Sequence, residues 1–401
     1  MVDTVRRWPP CETEAGAAHE SRKPDFAMTL RLALAALALL GTAFPADASD
    51  WLAARPDYRW SFPRDHWAHE GYRTEWWYFT GHLQSPDEPG RVFGYQFTFF
   101  RVGVSPELPA LRSEWTTRNL VMGHAALTDL GTKEHRFGDL LYRAVPLLGS
   151  FGSFPDPALV TAAGPGGTGS PWTLRWNGGG FDLAMTDDER RMAFRLSTRP
   201  EKPLVLQGPN GFSRKGEGPT TASQYYSFTR LATEGTVVLD GKTYVVRGTS
   251  WMDREFGSSQ LSPGQDGWDW FALRLDDGRD LMLYVVRGRD GAAEFRNGTL
   301  VERDGSARCL LPSEWSLRAT GRWTSAESGV TYPARWKIEI PSAALALDVA
   351  PDLSDQENRG SIPRAPLYWE GSVSVRDAEG RAAGRGYVEL TGYGERNRPP
   401  V

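Results

Sequence analysis

The chain has 401 residues, with 46 Lys and Arg against 50 Asp and Glu and a formal charge of −4. With no basic excess, nucleic acid and anionic membrane surfaces are excluded as main partners. Apolar residues make up 40% and aromatics 12%, enough for a core and too much for a disordered chain. No apolar helical period runs through the bulk of the sequence, which excludes helical bundles and coiled coils.

The N-terminal segment reads as an address label. Met28 precedes Arg31 and the apolar run Leu32–Leu40, extended by Gly41–Phe44, and Ala46-Asp47-Ala48 supplies a small-x-small cleavage pattern. The run is shorter than the roughly 20 residues of a membrane span. We therefore expect residues 1–48 to be an over-long N-terminus plus a signal peptide, with Met28 the true start and cleavage after Ala48. The mature chain is then periplasmic or secreted and has no integral membrane segment.

Alternating patterns predict strands over Trp76–Leu83, Phe93–Arg101, His124–Asp129, Thr173–Trp176, Met192–Ser197, Tyr225–Leu231, Thr236–Leu239 and Tyr244–Trp251. A second set covers Trp270–Leu275, Leu281–Arg287, Trp315–Ala319, Arg335–Ile340, Ala344–Val349, Tyr368–Val375 and Gly386–Thr391. Turn dipeptides separate several of them: Asp240-Gly241, Asp277-Gly278, Asp304-Gly305 and Glu379-Gly380. Val145–Pro171 and Pro200–Thr221 read as long Pro/Gly-rich loops.

One internal repeat is visible. Residues 75–83 (EWWYFTGHL) align with residues 267–275 (GWDWFALRL), matching Trp76, Phe79 and Leu83 to Trp268, Phe271 and Leu275, and Tyr78 to Trp270. Each copy leads through a Gly-Arg turn into an apolar strand. The prediction is an all-β fold of two tandem antiparallel barrels, each opening with the same hairpin. The domains would be 49–256 and 257–395, with 396–401 as a tail.

The segments YRTEWWYFTGHL (72–83), GYQFTFFR (94–101), HAALTD (124–129), FSRK (212–215), YYSFTRL (225–231), SWMDREFG (250–257), YWEG (368–371) and GYVELTGY (386–393) resemble the AttH / carotenoid 1,2-hydratase (CrtC) superfamily. The likeness runs from about Trp60 to Tyr393 and is strongest to the exported branch described as predicted secreted hydrolases. The resemblance implies two lipocalin-like barrels and hydrophobic ligands. It also implies that Asp253 matches the acid proposed for the carotenoid hydratases, with Trp251 at an aromatic position that matters there. Upstream, where an aromatic residue and a histidine are expected, this chain offers Gln224, Tyr225 and Tyr226.

The residues support the same chemistry on their own terms. Alternation along Ser250–Phe256 puts Trp251, Asp253 and Glu255 on one face, and Met252 and Arg254 on the other. A desolvated carboxyl beside an indole stays protonated as an acid, and an ionised neighbour activates water. Asp253, Glu255 and Trp251 are thus the candidate catalytic residues. Trp76, Tyr78, Thr80 and His82 share a strand face. If it looks into the barrel, it gives an aromatic pocket with a polar handle. Glu75, Trp76, Tyr78, His82, His124, Tyr226, Trp268 and Trp270 are the candidate ligand-binding residues. The structural alternatives are His82 and His124 as wall histidines, and Glu75 paired with Arg73 at the barrel mouth.

His66, His69 and Glu75 fit no standard zinc spacing, so no metal is expected. No nucleophile elbow, dinucleotide fingerprint or P-loop occurs, so no cofactor is expected. FSRK reads as a solvated basic turn. Two functions remain open. One is an exported enzyme acting by acid–base chemistry on an isoprenoid- or lipid-like molecule, a hydro-lyase or a hydrolase. The other is a carrier or chaperone of a lipophilic ligand, serving a membrane lipid transporter.

Overall fold

The computed structural model describes residues 51–394, apart from positions 109, 111–112, 168, 219 and 363–366. The leader through Ala48 and the tail 396–401 lie outside the described residues. Thirteen strands form the first sheet: β1 (Thr74–Gln84), β2 (Val92–Gly103), β3 (Asn119–Asp129), β4 (Glu134–Arg143), β5 (Gly149–Phe151), β6 (Ala158–Ala162), β7 (Trp172–Trp176), β8 (Phe181–Asp187), β9 (Met192–Pro200), β10 (Val205–Leu206), β11 (Phe212–Arg214), β12 (Ala222–Leu239) and β13 (Lys242–Ser259). Ten form the second: β14 (Gln265–Leu275), β15 (Asp280–Gly288), β16 (Ala293–Val301), β17 (Ala307–Leu310), β18 (Ser316–Thr324), β19 (Thr331–Ile340), β20 (Leu345–Pro351), β21 (Glu357–Asn358), β22 (Tyr368–Arg376) and β23 (Ala382–Leu390). All pairings are antiparallel. The first sheet is a nearly closed barrel and the second a half-barrel.

The strand orders reveal the repeat. The first sheet begins β4-β3-β2-β1 and continues into its last two strands, β13-β12. The second begins β17-β16-β15-β14 and continues into its last two, β23-β22. In each copy the opening hairpin strand is locked between its hairpin partner and the final strand of that sheet. The matched segments of the sequence repeat lie on β1 and β14, the equivalent strands.

Strand alternation sorts the side chains. On β1, Trp77, Phe79 and Leu83 point into the first barrel and pack with Phe93, Phe97, Phe99, Phe181 and Phe194. Gly81 shares that inner face, where an added Cβ would lie 2.7 Å from the Tyr95 ring. On β14, Phe271, Leu273 and Leu275 pack into the second core with Trp336, Trp369 and Val388. The opposite faces of both strands meet in a third cluster holding Tyr78, Tyr225, Trp251, Trp270, Met282, Tyr284, Val286 and Tyr387. The two equivalent hairpins therefore stand with their outer faces toward each other.

Three local expectations change. Val145–Pro171 and Pro200–Thr221 are not bare loops: they carry the short strands β5, β6, β10 and β11, which add to the first sheet. Short strands interrupted by Pro and Gly lack the length that alternation needs to be visible. Tyr225–Leu231 and Thr236–Leu239 are one strand, β12, bent by a register shift between Phe228 and Leu231. The strand predicted over Tyr244–Trp251 runs on to Ser259, so the motif at 250–257 is the second half of β13. The β12–β13 turn at Asp240-Gly241 has φ of 52° and 80°, the left-handed pair that a two-residue hairpin requires.

Candidate functional site

A cleft of about 750 Å³, its open mouth included, lies between the two sheets. The first sheet lines it with Trp76, Tyr78, Gln96, Phe100, Lys215, Tyr225, Asp253 and Glu255. The second adds Trp268, Trp270, Tyr284, Val286 and Glu389, and Gln260 and Leu261 close it from the connection between sheets. Aromatic rings are the largest group in the wall, with the carboxyls of Asp253, Glu255 and Glu389 set among them.

Asp253 is part of this wall and is 3% exposed. Direct register partners bring its surroundings: Tyr78 across from it on β1, Ser227 on β12. Its Oδ1 accepts hydrogen bonds from Ser227 Oγ and, at 2.8 Å, from Trp251 Nε1; its Oδ2 accepts one from Tyr225 Oη at 2.9 Å. No cation pairs with it among the described residues. Burial pushes its carboxyl up to about 7; the Ser227, Trp251 and Tyr225 donors oppose that shift, and the Glu255 charge adds to it. Near neutrality the group is poised to give a proton.

Glu255 is differently placed. It accepts from Ser223 Oγ and pairs with Lys215 Nζ at 2.9 Å. The Lys215 ammonium also lies over the rings of Tyr225 and Tyr284, 5.0 and 4.3 Å from their centroids. Burial, the largest single influence, would lower the Lys215 pKa, but the charge and hydrogen bond of Glu255 together with Tyr284 and Asp253 outweigh it and the pKa is raised, so the side chain stays charged. On the opposite wall Glu389 accepts from Trp268 Nε1 at 3.1 Å. Its carboxyl keeps part of its surface on the cleft, yet the surrounding protein desolvates it and raises it to about 7.

The AttH-like family matches residues 53–393. The chain belongs to the AttH-like family. An AttH protein of Nitrosomonas europaea of known structure is 31% identical, covers 85% of this chain and 99% of its own, and superimposes with a TM-score of 0.74. Kievitone hydratase of Nectria haematococca shares the fold at 15% identity and a TM-score of 0.60, covering 85% of this chain and 95% of its own. No curated protein matches the chain in sequence.

With the AttH-like fold in hand, the residues singled out from sequence separate into four groups. Asp253, Glu255, Trp76, Tyr78, Trp268 and Trp270 line the cleft. Trp251 is fully buried behind it, holding Asp253 and standing edge-on to Trp270 at 6.2 Å. The face of Trp76 and Tyr78 looks out of the barrel toward the second sheet, not into the barrel, because Trp77 and Phe79 already fill the interior.

His82 and His124 are buried on the seam but outside the cleft lining. His82 Nε2 meets Ser372 Oγ at 2.7 Å, and His124 Nδ1 meets Tyr368 Oη at 2.8 Å. Burial lowers both, His124 to about 4, so they stay neutral rungs between the sheets. Glu75 and Tyr226 belong to the inner face. Glu75 is clamped by Arg101 and Arg254, not by Arg73, and Tyr226 bonds His66 Nδ1 at 2.6 Å. Tyr225, one residue earlier, is the tyrosine that reaches the cleft. A one-residue phase on β12 decides between them, and it depends on which side the second sheet covers.

Three groups, two in the cleft and one behind it, were not among the sequence candidates. The Lys215 side chain is only 12% exposed, not a solvated turn, because β11 folds back onto the start of β12 with Arg214 opposite Ala222. Glu370 and Glu389 lie within the quoted motifs YWEG and GYVELTGY. The alternation of Tyr387, Glu389 and Thr391 was the available signal. Among the described residues no group of three or more His, Cys, Asp and Glu is arranged to hold a metal. Nor is any helix there long and apolar enough to cross a membrane.

Proposed function

We propose that this AttH-like protein is an exported enzyme. It takes a hydrophobic isoprenoid- or lipid-like molecule into the cleft between its sheets and adds water to a carbon–carbon double bond without a cofactor. The carrying observation is Asp253: a buried carboxyl, held by three neutral donors, with no ion-pair partner among the described residues and an aromatic cleft in front of it. Such a group is an acid near neutral pH.

The step follows from that placement. The alkene π pair takes the Asp253 proton and forms a C–H bond, leaving a cation on the neighbouring carbon. The faces of Trp76, Trp268 and Trp270 stabilise that cation, each by about 0.5–2 kcal/mol when desolvated. Water then adds through oxygen and loses a proton, so that alkene plus water gives an alcohol. The three donors that orient Asp253 also stabilise its carboxylate once the proton has left.

The test is incubation of the full chain with a lipid extract in heavy-oxygen water, read by mass spectrometry. The expected result is a product heavier by one labelled water, absent with Asp253→Asn. That variant should still bind N-phenylnaphthylamine, a neutral apolar fluorophore, with unchanged affinity. Binding by both proteins with no labelled product from either would leave the carrier reading. Export is tested separately: N-terminal sequencing of the periplasmic or secreted protein should begin at Ser49.

A further inference from the structure

The second sheet contributes two glutamates that the step above leaves without a role. Glu370 on β22 and Glu389 on β23 are direct cross-strand partners, so their Cβ atoms lie about 4.5–5.5 Å apart on one face. Glu389 opens onto the cleft. Glu370 lies behind it, 1% exposed. Its Oε1 accepts a hydrogen bond from Tyr78 Oη at 2.5 Å, and its Oε2 is buried with no hydrogen-bond partner among the described residues.

Like charges directly opposite each other on a sheet repel, and among the described residues no cation is ion-paired with either glutamate. Tyr78, Asp253 and Glu255 face it from the first sheet, and Tyr368 and Tyr387 flank it on the second. Lys215, the cation among the cleft-lining residues, is engaged by Glu255. Arg274, further along β14, bonds His82. Two carboxyls so placed do not both ionise. Burial, reinforced by the Glu389 charge, holds Glu370 well above the usual carboxyl range. Glu389 therefore ionises first.

We propose that Glu370 and Glu389 share one proton and form the second acid–base group of the cleft, opposite Asp253, with Glu389 accepting the proton of the attacking water. The chemistry rests on the hydration reading; the sharing does not. Asp253 gives its proton to one alkene carbon from the first-sheet wall. Water bonds to the other carbon from the second-sheet wall and passes one proton to the Glu389 carboxylate. That proton then returns to Asp253 through solvent, restoring both groups. Glu255 cannot serve as freely, because Lys215 and Ser223 hold its carboxylate. Glu370 is not among the residues that line the cleft: it is a positioning residue behind Tyr78 and Glu389.

The experiment is carbon-13 NMR of the full chain labelled at Glu side-chain carboxyls, titrated through neutral pH. Signals are assigned by their loss in Glu370→Gln and Glu389→Gln. Glu389 should titrate near neutrality while Glu370 remains protonated. In Glu389→Gln the Glu370 midpoint should fall by about one pH unit or more, the coupling expected of an interacting pair. In Glu370→Gln the Glu389 midpoint should hardly move. If no glutamate signal of the unaltered chain titrates above the ordinary carboxyl range, the shared proton is overturned, and that observation needs no assignment and no variant to fold. Asp253 is followed in a separately labelled sample. An ordinary Asp253 beside a coupled glutamate pair removes the acid and leaves the pair; the converse removes the pair and leaves the acid.

Discussion

Glu75 and Asp253 stand on neighbouring strands of one sheet, and both are buried. They lie on opposite faces. On the inner face Glu75 meets Arg101 and Arg254 and accepts from the His69 backbone N–H at 3.0 Å. Burial alone would push its carboxyl up, but the two guanidinium groups outweigh it and hold it well below the usual range. On the outer face Asp253 is hydrogen-bonded by neutral donors, has no ion-pair partner among the described residues, and rises to about 7 through burial. Burial is common to both. The presence of cations decides which carboxyl is a fixed structural charge and which is a movable proton.

Exchanging the acid for its amide is the severest test of this contrast. Asp253→Asn keeps shape and burial and removes the proton, so turnover should fall by about 10²–10⁴-fold, the usual contribution of a general acid. Affinity for the apolar fluorophore should be unchanged, and thermal melting should show no loss of stability. The mirror change is Glu75→Gln. It leaves Arg101 and Arg254 buried and uncompensated, and should cost about 3–5 kcal/mol of stability, read by urea unfolding at neutral pH.

The two carboxyls also set opposite pH limits. Glu75 has a depressed folded pKa, so its contribution is present above the unfolded value of 4.5 and is lost as pH falls through the folded one. Asp253 has a raised folded pKa, so the folded state binds its proton more tightly. Stability then falls as pH rises from the unfolded value of 3.8 through about 7. Unfolding measured across that window should show Asp253→Asn gaining on the unaltered protein as pH rises. Turnover should decline over the upper part of the same window, as Asp253 ionises. The smallest effect is expected from Glu255→Gln. Turnover should drop by less than about tenfold, while the loss of its ion pair with Lys215 costs about 1–3 kcal/mol.

Much of this contrast was legible in the sequence. The two-residue alternation of Trp251, Asp253 and Glu255 against Met252 and Arg254 assigned opposite faces correctly, since it depends on backbone geometry alone. The aligned hairpins at Trp76 and Trp268 gave the repeat that builds both cleft walls. What alternation does not tell is which face looks where. Trp76 and Tyr78 read as barrel lining until the second sheet is seen to cover them. The same ambiguity of phase exchanged Tyr226 for Tyr225. Glu75 finds Arg101 across β1–β2 and Arg254 across β1–β13, and those partners lie 26 and 179 residues away in the chain. Glu370 and Glu389 meet only through the β22–β23 register, which no local pattern specifies.

The central claim is that Asp253 carries a proton near neutral pH while its neighbour across the sheet, Glu75, does not. Carbon-13 NMR of the full chain labelled at Asp side-chain carboxyls reads the first half directly, with the Asp253 signal assigned by its loss in Asp253→Asn. The account predicts a midpoint near 7. A midpoint in the ordinary aspartate range, around 3.9, would mean that Asp253 is already ionised when the protein works, and would contradict its role as the acid.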